Sequence, residues 1–344
     1  SRHIWDSLYW RDLDTGDYVP HLATKIEYAD PKTIDITLRE GVTFHNGEKF
    51  DADDVVFTIN MVNDPENKMV NRNPVRWISK AEKTGEYSVR LHLDKIFAPA
   101  IEYLSTSVVM YPNEYYQKVG KDGYGRAPVG TGPYKATEVT PGKRLVMEKN
   151  ENYFGGGKGQ AQIGKVIMRF VDETNTQIAE LLSGNADLIW RLNKEQGEKL
   201  NRVPGIKGVA GETMRVGYLQ FDSSGSSGSH PLTNVKVRQA ISHAIDRKAI
   251  AERLQGGGQV LHLACYPSQF GCQSPNAPKY DYTPEKAKKL LAEAGYPNGL
   301  EVEFYAYRDR PYAEAMMGFM AKVGIKANLN WMKYSALRDK VRGD

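Results

Sequence analysis

The sequence predicts a mixed α/β protein made of two or three packed units. Its 344 residues are 40% hydrophobic and 26% charged, which is typical of a folded globular chain with more than one domain. Short segments of alternating polarity, typical of strands, are interleaved with longer segments in which apolar residues recur at helical spacing. No apolar run approaches the roughly 20 residues of a membrane-spanning helix. We therefore expect a soluble protein.

Composition and charge exclude several functional classes. The net charge of +4 is small for this length, and Lys and Arg are interleaved with Asp and Glu, so no nucleic-acid partner is expected. The seven histidines lack His-x-x-x-His spacing, and two cysteines cannot by themselves form a four-ligand zinc site. The sequence therefore predicts no metal and no cofactor.

The clearest structural signals lie between residues 34 and 62. A strand is predicted over residues 34–38, and an Asn46-Gly47 turn follows it. Asp51 has the position of a helix N-cap, with further carboxylates in the first turn, where the helix dipole favours negative charge. The apolar stripe of that helix would be formed by Val55, Ile59 and Val62.

The middle of the chain alternates strands and helices. Residues 87–93 predict a half-buried strand, and residues 135–149 predict two strands around a Pro141-Gly142 turn. A strand over 163–171, a helix capped by Asn175 and a strand over 186–192 follow in order. Strand, helix and strand in this order predict a parallel crossover unit.

The second half repeats this pattern. Asn234 and Asp246 are expected to cap two successive helices, and Thr283-Pro284 is expected to open a third. A second crossover unit is predicted next, made of a strand over 300–307, a Met-rich helix over 311–322 and a strand over 325–331. A polar helix is predicted after it.

Four motifs carry a family resemblance: LREGVTFHNGEKFDADDVVF at 38–57, GTGPY at 130–134, LSGNADLI at 182–189 and NVKVRQAISHAIDRKAI at 234–250. With these motifs the chain resembles the extracytoplasmic solute-binding proteins of ABC importers, in the family that takes oligopeptides, dipeptides, nickel chelates and opines. The resemblance implies a two-lobe periplasmic-binding-protein fold with an extra subdomain on the first lobe.

The resemblance also implies the domain organisation. Residues 1–27 would be the N-terminal part of the first lobe, 28–127 its inserted subdomain, and 128–233 the core of the first lobe and the approach to the hinge. Residues 234–344 would be part of the second lobe, which we expect to be incomplete, with an exposed strand near Trp331.

The expected function is capture of a peptide or similar small solute and its delivery to a membrane permease with its ATPase. The resemblance favours a periplasmic monomer whose leader has been removed, since no leader precedes Ser1. The alternative is a hydrolase of peptides or small esters with a triad not visible in sequence. The serines of residues 223–229, a tract expected to be flexible, lack Gly-x-Ser-x-Gly spacing.

Candidate ligand-binding residues come from two segments. A strand over 216–221 would place Tyr218 and Gln220 on one face, and Trp190 and Arg191 would end the strand of the first crossover unit, where such sheets bind ligands. The alternative is that Trp190 belongs to the core and that Tyr218 packs under the hinge.

The two cysteines, Cys265 and Cys272, predict a disulfide. They are seven positions apart, with Pro267 and Gly271 between them, so their Cα atoms can approach the separation of about 5.5 Å that the bond requires. An exported protein would meet an oxidising compartment. The bond would hold Tyr266 and Phe270, which we add to the candidate ligand-binding residues. Free thiols or a metal-binding pair are the alternatives.

Overall fold

The computed structural model describes residues 2–67, 69, 72–211, 213–255, 257–267, 269, 272, 274 and 276–342. The chain divides into two compact units, Ser1–Gln177 and Ile178–Asp344. None of the helices formed by these described residues is long and apolar enough to cross a membrane.

The strands of the first unit form three antiparallel sheets. A small sheet joins β1 (Tyr9–Arg11) to β2 (Tyr18–Pro20). The largest sheet has the order β3-β4-β6-β5, and its strands are β3 (Ala23–Asp30), β4 (Thr33–Leu38), β5 (Ile78–Gly85) and β6 (Ser88–Leu93). The third sheet has the order β7-β8-β9, with β7 (Tyr134–Thr140), β8 (Arg144–Lys149) and β9 (Lys165–Arg169).

The helices of the first unit are α1 (Ala52–Asn63), α2 (Ala100–Thr106) and α3 (Asn113–Arg126), and α4 (Thr174–Leu182) spans the boundary between the units. Short 3₁₀ turns occupy Pro65–Asn67 and Gly156–Lys158. Helix α1 begins as predicted. The Asp51 carboxylate accepts the N–H of Asp53 at 2.9 Å, and the Asp54 carboxylate accepts the N–H of Asp51 at 2.9 Å. This reciprocal pair is a capping box, which satisfies donors that a helix start leaves unpaired.

The core of the first unit confirms the predicted alternation. In β4 and β6 every second residue is buried, and these side chains pack against the apolar stripe of α1. The buried residues that carry this packing are Ile34, Ile36, Leu38, Val55, Ile59, Val62, Val89 and Leu91.

The second unit contains α5 (Lys194–Leu200), α6 (Val235–Ala244), α7 (Arg247–Ile250), α8 (Pro284–Glu293), α9 (Arg310–Ala321) and α10 (Tyr334–Arg342). A π-helical turn, Ala251–Gln255, continues α7, and a 3₁₀ turn, Pro231–Thr233, precedes α6. Asn234 and Asp246 cap α6 and α7 through their side chains, as predicted.

The predicted crossover unit of the second half is confirmed. Strands β10 (Leu300–Ala306) and β11 (Ile325–Trp331) pair in parallel, from Leu300 opposite Ile325 to Ala306 opposite Trp331. Helix α9 connects them. Their buried residues join α6 and α8 in one core, as Val237, Ile241, Leu291, Val302 and Ile325 show.

The crossover unit predicted in the first half is wrong. Strand β9 pairs antiparallel with β8, and residues 186–192 form no strand. Residues 216–221 also form none. Alternating polarity shows which residues can face a core, but a strand also needs a neighbour for its backbone hydrogen bonds. In the described part of the chain, neither segment has such a neighbour. Asn175 lies inside α4, which begins one residue earlier.

Two glycines fix the start of the parallel pair, and their backbones touch. Gly299 has a φ of +90°, in the left-handed region that side-chain-bearing residues avoid. A Cβ atom at Gly299 would lie 2.1 Å from the carbonyl oxygen of Gly324. This oxygen also accepts the N–H of Leu300 at 3.1 Å, which is the first bond of the pair.

We therefore predict that Gly299→Ala lowers the free energy of unfolding of the second unit by roughly 2 kcal/mol or more, because it adds backbone strain and a steric clash. Gly318→Ala is the matched control. Gly318 lies within α9, with no atom within 4 Å of an added Cβ, so its replacement should stabilise by about 0.5–1 kcal/mol. Urea unfolding of both variants measures the effect. Equal stabilities would contradict the role of Gly299.

Candidate functional site

The candidate ligand-binding residues of the second unit are accessible. Trp190 is 57% exposed and Tyr218 is 72% exposed, so neither side chain belongs to a core. Gln220 and Arg191 are also exposed, and Tyr266 is half-buried. Phe270 lies outside the described residues. The alternative that placed Trp190 in the core is therefore wrong.

The predicted alternation around Tyr218 holds although no strand forms. Tyr218 and Gln220 face solvent, whereas Leu219 and Phe221 pack against the core of the second unit. Burial along the segment alternates, as it would in a half-buried strand. The two exposed side chains therefore lie on the same face.

Local backbone geometry explains why the segment at Trp190 does not continue as a strand. Arg191 has a φ of +66°, which breaks an extended conformation. Two residues later Asn193 caps α5 in a reciprocal capping box with Gln196. The chain turns into this helix immediately after Trp190, so the side chain of Trp190 projects from an irregular connection.

The Ser/Gly tract, expected to be flexible, is organised by one carboxylate. Asp222 accepts the N–H groups of Gly225, Ser226 and Ser227 at 2.8–3.0 Å, and the hydroxyls of Ser226 and Ser227 at 3.0 and 2.7 Å. His230 Nε2 lies 3.0 Å from the same carboxylate. The hydrogen bonds from Ser227, followed by the one from His230, hold the pKa of Asp222 well below its usual range.

This arrangement does not match a hydrolytic triad. A triad requires the serine hydroxyl to donate to the imidazole, which is oriented by the carboxylate. Here the hydroxyls of Ser226 and Ser227 and the imidazole of His230 all bond to Asp222 directly. The carboxylate is therefore the centre of a turn.

The predicted disulfide is present. Cys265 and Cys272 are bonded, with their Cα atoms 5.9 Å apart. Inside the loop, the N–H of Tyr266 donates to Gln269 Oε1 at 2.7 Å, and the N–H of Gln269 donates to the Tyr266 carbonyl at 2.9 Å. Among the residues that the structure describes, no group of three or more His, Cys, Asp or Glu side chains is placed to hold a metal ion.

A buried charged cluster lies in the first unit. The Asp6 carboxylate accepts hydrogen bonds from Lys158 Nζ at 2.5 Å, His21 Nε2 at 2.9 Å and Thr131 Oγ1 at 2.9 Å. The hydroxyl of Tyr153 donates a longer bond at 3.3 Å. The side chains of Asp6 and His21 are completely inaccessible to solvent. The protein therefore replaces all of the water that would solvate this carboxylate.

The hydrogen bonds assign the protonation pattern of the cluster. The N–H of Gly157 donates to His21 Nδ1 at 3.0 Å, so the imidazole proton is assigned to Nε2, which donates to Asp6. Burial alone would raise the pKa of Asp6, but the His21 hydrogen bond and the Lys158 charge outweigh it and hold that pKa below its usual value. Burial lowers the pKa of Lys158, against the effect of Asp6.

The buried charged cluster holds the N-terminal residues around Ile4 against the GTGPY motif at 130–134, called here the glycine motif. Lys158 Nζ also donates to the Trp5 carbonyl at 2.9 Å, and the N–H of Gly132 donates to the Ile4 carbonyl at 2.8 Å. A Cβ atom at Gly130 would lie 2.1 Å from Ile4 O, and one at Gly132 would lie 2.5 Å from Ile4 C. The motif needs glycine because two backbones touch here.

Comparison with known proteins identifies the class to which this fold belongs. The family "Bacterial extracellular solute-binding proteins, family 5 Middle" matches residues 17–344, and the chain belongs to this family.

Curated relatives include heme-binding protein A of Haemophilus influenzae, which is 29% identical over 97% of this chain and 66% of the relative. The glutathione-binding protein GsiB of Escherichia coli K12 is 28% identical over 91% of this chain and 61% of the relative. The chain thus spans less than two thirds of the length of these relatives.

Solved structures confirm the predicted two-lobe α/β fold. A dipeptide-binding protein from Pseudoalteromonas in complex with Met-Leu superposes with a TM-score of 0.86 at 25% identity, covering 99% of this chain and 72% of that one. The binding protein AgaA from A. tumefaciens R10 in complex with agropinic acid gives a TM-score of 0.81 at 29% identity, covering 100% of this chain and 70% of that one.

We predict that Lys158→Met destabilises the first unit by about 3–5 kcal/mol, because it leaves the Asp6 carboxylate buried without its cation. Lys165→Met is the control, since the Lys165 side chain forms an exposed ion pair with Glu148, and its replacement should change stability by about 0.5 kcal/mol or less. Urea unfolding measures both. The double variant Asp6→Asn/Lys158→Met should lose less than the sum of the two single variants; additive losses would disprove the coupling.

We also predict a pH dependence that Asp6 controls. Because its folded-state pKa is lowered, its contribution to stability is present above its unfolded pKa of about 3.9 and is lost as pH falls towards the folded value. Between about pH 5 and pH 2, the free energy of unfolding should therefore fall more steeply for the wild type than for Asp6→Asn. Parallel curves would show that other carboxylates account for the acid sensitivity.

Proposed function

We propose that the protein is the solute-binding component of an ABC importer, which captures a small solute between two lobes and delivers it to a membrane permease with its ATPase. The match of an extracellular solute-binding family to residues 17–344 carries this proposal. The fold of the Met-Leu and agropinic acid complexes supports it. The hydrolase alternative is not favoured, because the described side chains of Ser226, Ser227, His230 and Asp222 lack triad geometry.

The proposed solute is a peptide. Among the relatives, the glutathione-binding protein and the Met-Leu complex support this choice. The ligand would shift the population towards a closed state, because contacts from both lobes exist together only in that state. In this arrangement residues 28–127 are the inserted subdomain of the first lobe and residues 234–344 are part of the second lobe. The protein acts as a periplasmic monomer, and its disulfide suits an oxidising compartment.

The proposed contacts come from exposed side chains of the second unit. Trp190 and Tyr218 supply aromatic surface, and Arg191 and Gln220 supply hydrogen-bond donors for the carboxylate and amide groups of a peptide. Tyr266 and Phe270 complete the proposed set. Exposure favours these roles, since the aromatic area of Trp190 and Tyr218 is free to be buried by a ligand.

We predict that Trp190→Ala and Tyr218→Ala each weaken binding of Met-Leu or glutathione by roughly ten-fold, because each removes aromatic area that the ligand would bury. Isothermal titration calorimetry measures the affinity, and Tyr28→Ala, which removes an exposed aromatic ring in the first unit, is the control. If both site variants fold and bind as the wild type does, the residue assignment is wrong. Release of free amino acids from the peptide would instead indicate a hydrolase.

A further inference from the structure

The first unit contains a cavity of about 520 Å³ between α3 and the hairpin of β7 and β8. Tyr116 and Tyr124 of α3 line one side of it, and residues 139–142, 144 and 145 of the hairpin line the other. Trp5 and Phe170 also line it. Pockets for small molecules typically measure about 300–1,000 Å³, so the space is large enough for a ligand. The candidate residues Trp190, Arg191, Tyr218, Gln220 and Tyr266 do not line it.

One side of the cavity is an aromatic wall, formed by Trp5, Tyr111, Tyr116 and Tyr124. The ring centroids of Tyr116 and Tyr124 are 5.0 Å apart, and those of Tyr111 and Tyr124 are 5.3 Å apart. Trp5 Nε1 donates to the Tyr124 hydroxyl at 2.6 Å, and this hydroxyl donates to the Val129 carbonyl. These bonds hold the wall in place without a ligand, which lowers the entropic cost of binding.

The wall also offers hydrogen-bond donors. The hydroxyls of Tyr111 and Tyr116 bond to no other residue in the part of the chain that the structure describes. Burial raises the pKa of both phenols, so both remain protonated and able to donate at neutral pH. A ligand acceptor in the cavity would satisfy them.

The lining of the cavity is positively charged, which favours an anionic ligand. Arg144 and Lys121 line it, and none of the described residues that line it is acidic. The Nε of Arg144 lies 3.7 Å from Glu138 Oε1, a loose surface pair whose carboxylate lies outside the lining. Lys121 Nζ donates to the Asn67 carbonyl at 3.1 Å. Planar guanidinium groups pair well with carboxylates, and the tyrosine hydroxyls can donate further hydrogen bonds to a carboxylate.

We propose that this cavity is a second ligand site, which binds a small aromatic carboxylate with its ring on the aromatic wall and its carboxylate at Arg144. The site lies within the first unit alone. It therefore stands independently of the solute capture proposed above.

Titration calorimetry with 2-naphthoate tests the site in the full chain. We expect binding of one molecule per chain, weakened roughly ten-fold by Arg144→Gln, which removes a charge-assisted contact. Tyr116→Phe should weaken binding a few-fold through the lost hydroxyl. Lys143→Gln is the matched control, because it removes the same charge from the neighbouring residue, which does not line the cavity, and it should bind as the wild type does. The uncharged isostere 2-naphthamide should bind roughly ten-fold more weakly.

Three outcomes would overturn the proposal. The first is absence of 2-naphthoate binding at millimolar concentration to a wild type that unfolds cooperatively on heating. The second is equal affinity of the wild type, Arg144→Gln and Tyr116→Phe. The third is loss of affinity in Trp190→Ala or Tyr218→Ala with none in Arg144→Gln, which would place the probe in the solute site instead. Failure to bind peptide would refute only the proposed function.

Discussion

A single buried carboxylate, Asp6, determines how the first unit is assembled. Burying this charge costs several kcal/mol unless donors replace the lost water. Lys158, His21 and Thr131 provide those donors from segments far apart in the chain. Each must be in place for the others to be satisfied. The N-terminal segment is therefore fixed, and the glycine motif can lie directly on the Ile4 backbone.

The sequence predicts those parts of the fold that depend on local chemistry. Helix α1 is predicted from its cap at Asp51 and its apolar stripe, and the unit β10-α9-β11 is predicted from periodicity and length. The segments 186–192 and 216–221 are mispredicted because periodicity contains no information about a pairing neighbour. The alternation around Tyr218 is still correct, since it depends only on which side of the chain meets the core.

The hydrogen-bonded clusters around Asp6 and Asp222 cannot be predicted from sequence spacing alone. Asp6 and His21 each interrupt an apolar segment, which signals a buried polar group, but sequence spacing does not show that Lys158 is their partner. At Asp222 the composition of the neighbouring tract leads to a wrong expectation. The composition of the tract 223–229 indicates flexibility, yet one preceding carboxylate collects its N–H and hydroxyl groups into a turn. The composition of the tract indicates only its average tendency, whereas the Asp222 carboxylate, as a hydrogen-bond acceptor, determines its conformation.

The described residues divide into tightly held and loosely held parts. The first unit is constrained by a buried ion pair and a hydrogen-bonded aromatic wall, both of which resist rearrangement. Trp190 and Tyr218 instead project from segments whose backbone pairs with no other strand in the described residues. Segments with few backbone hydrogen bonds rearrange at low cost. The side chains of Trp190 and Tyr218 can therefore change position more easily than the side chains that contact Asp6 in the first unit.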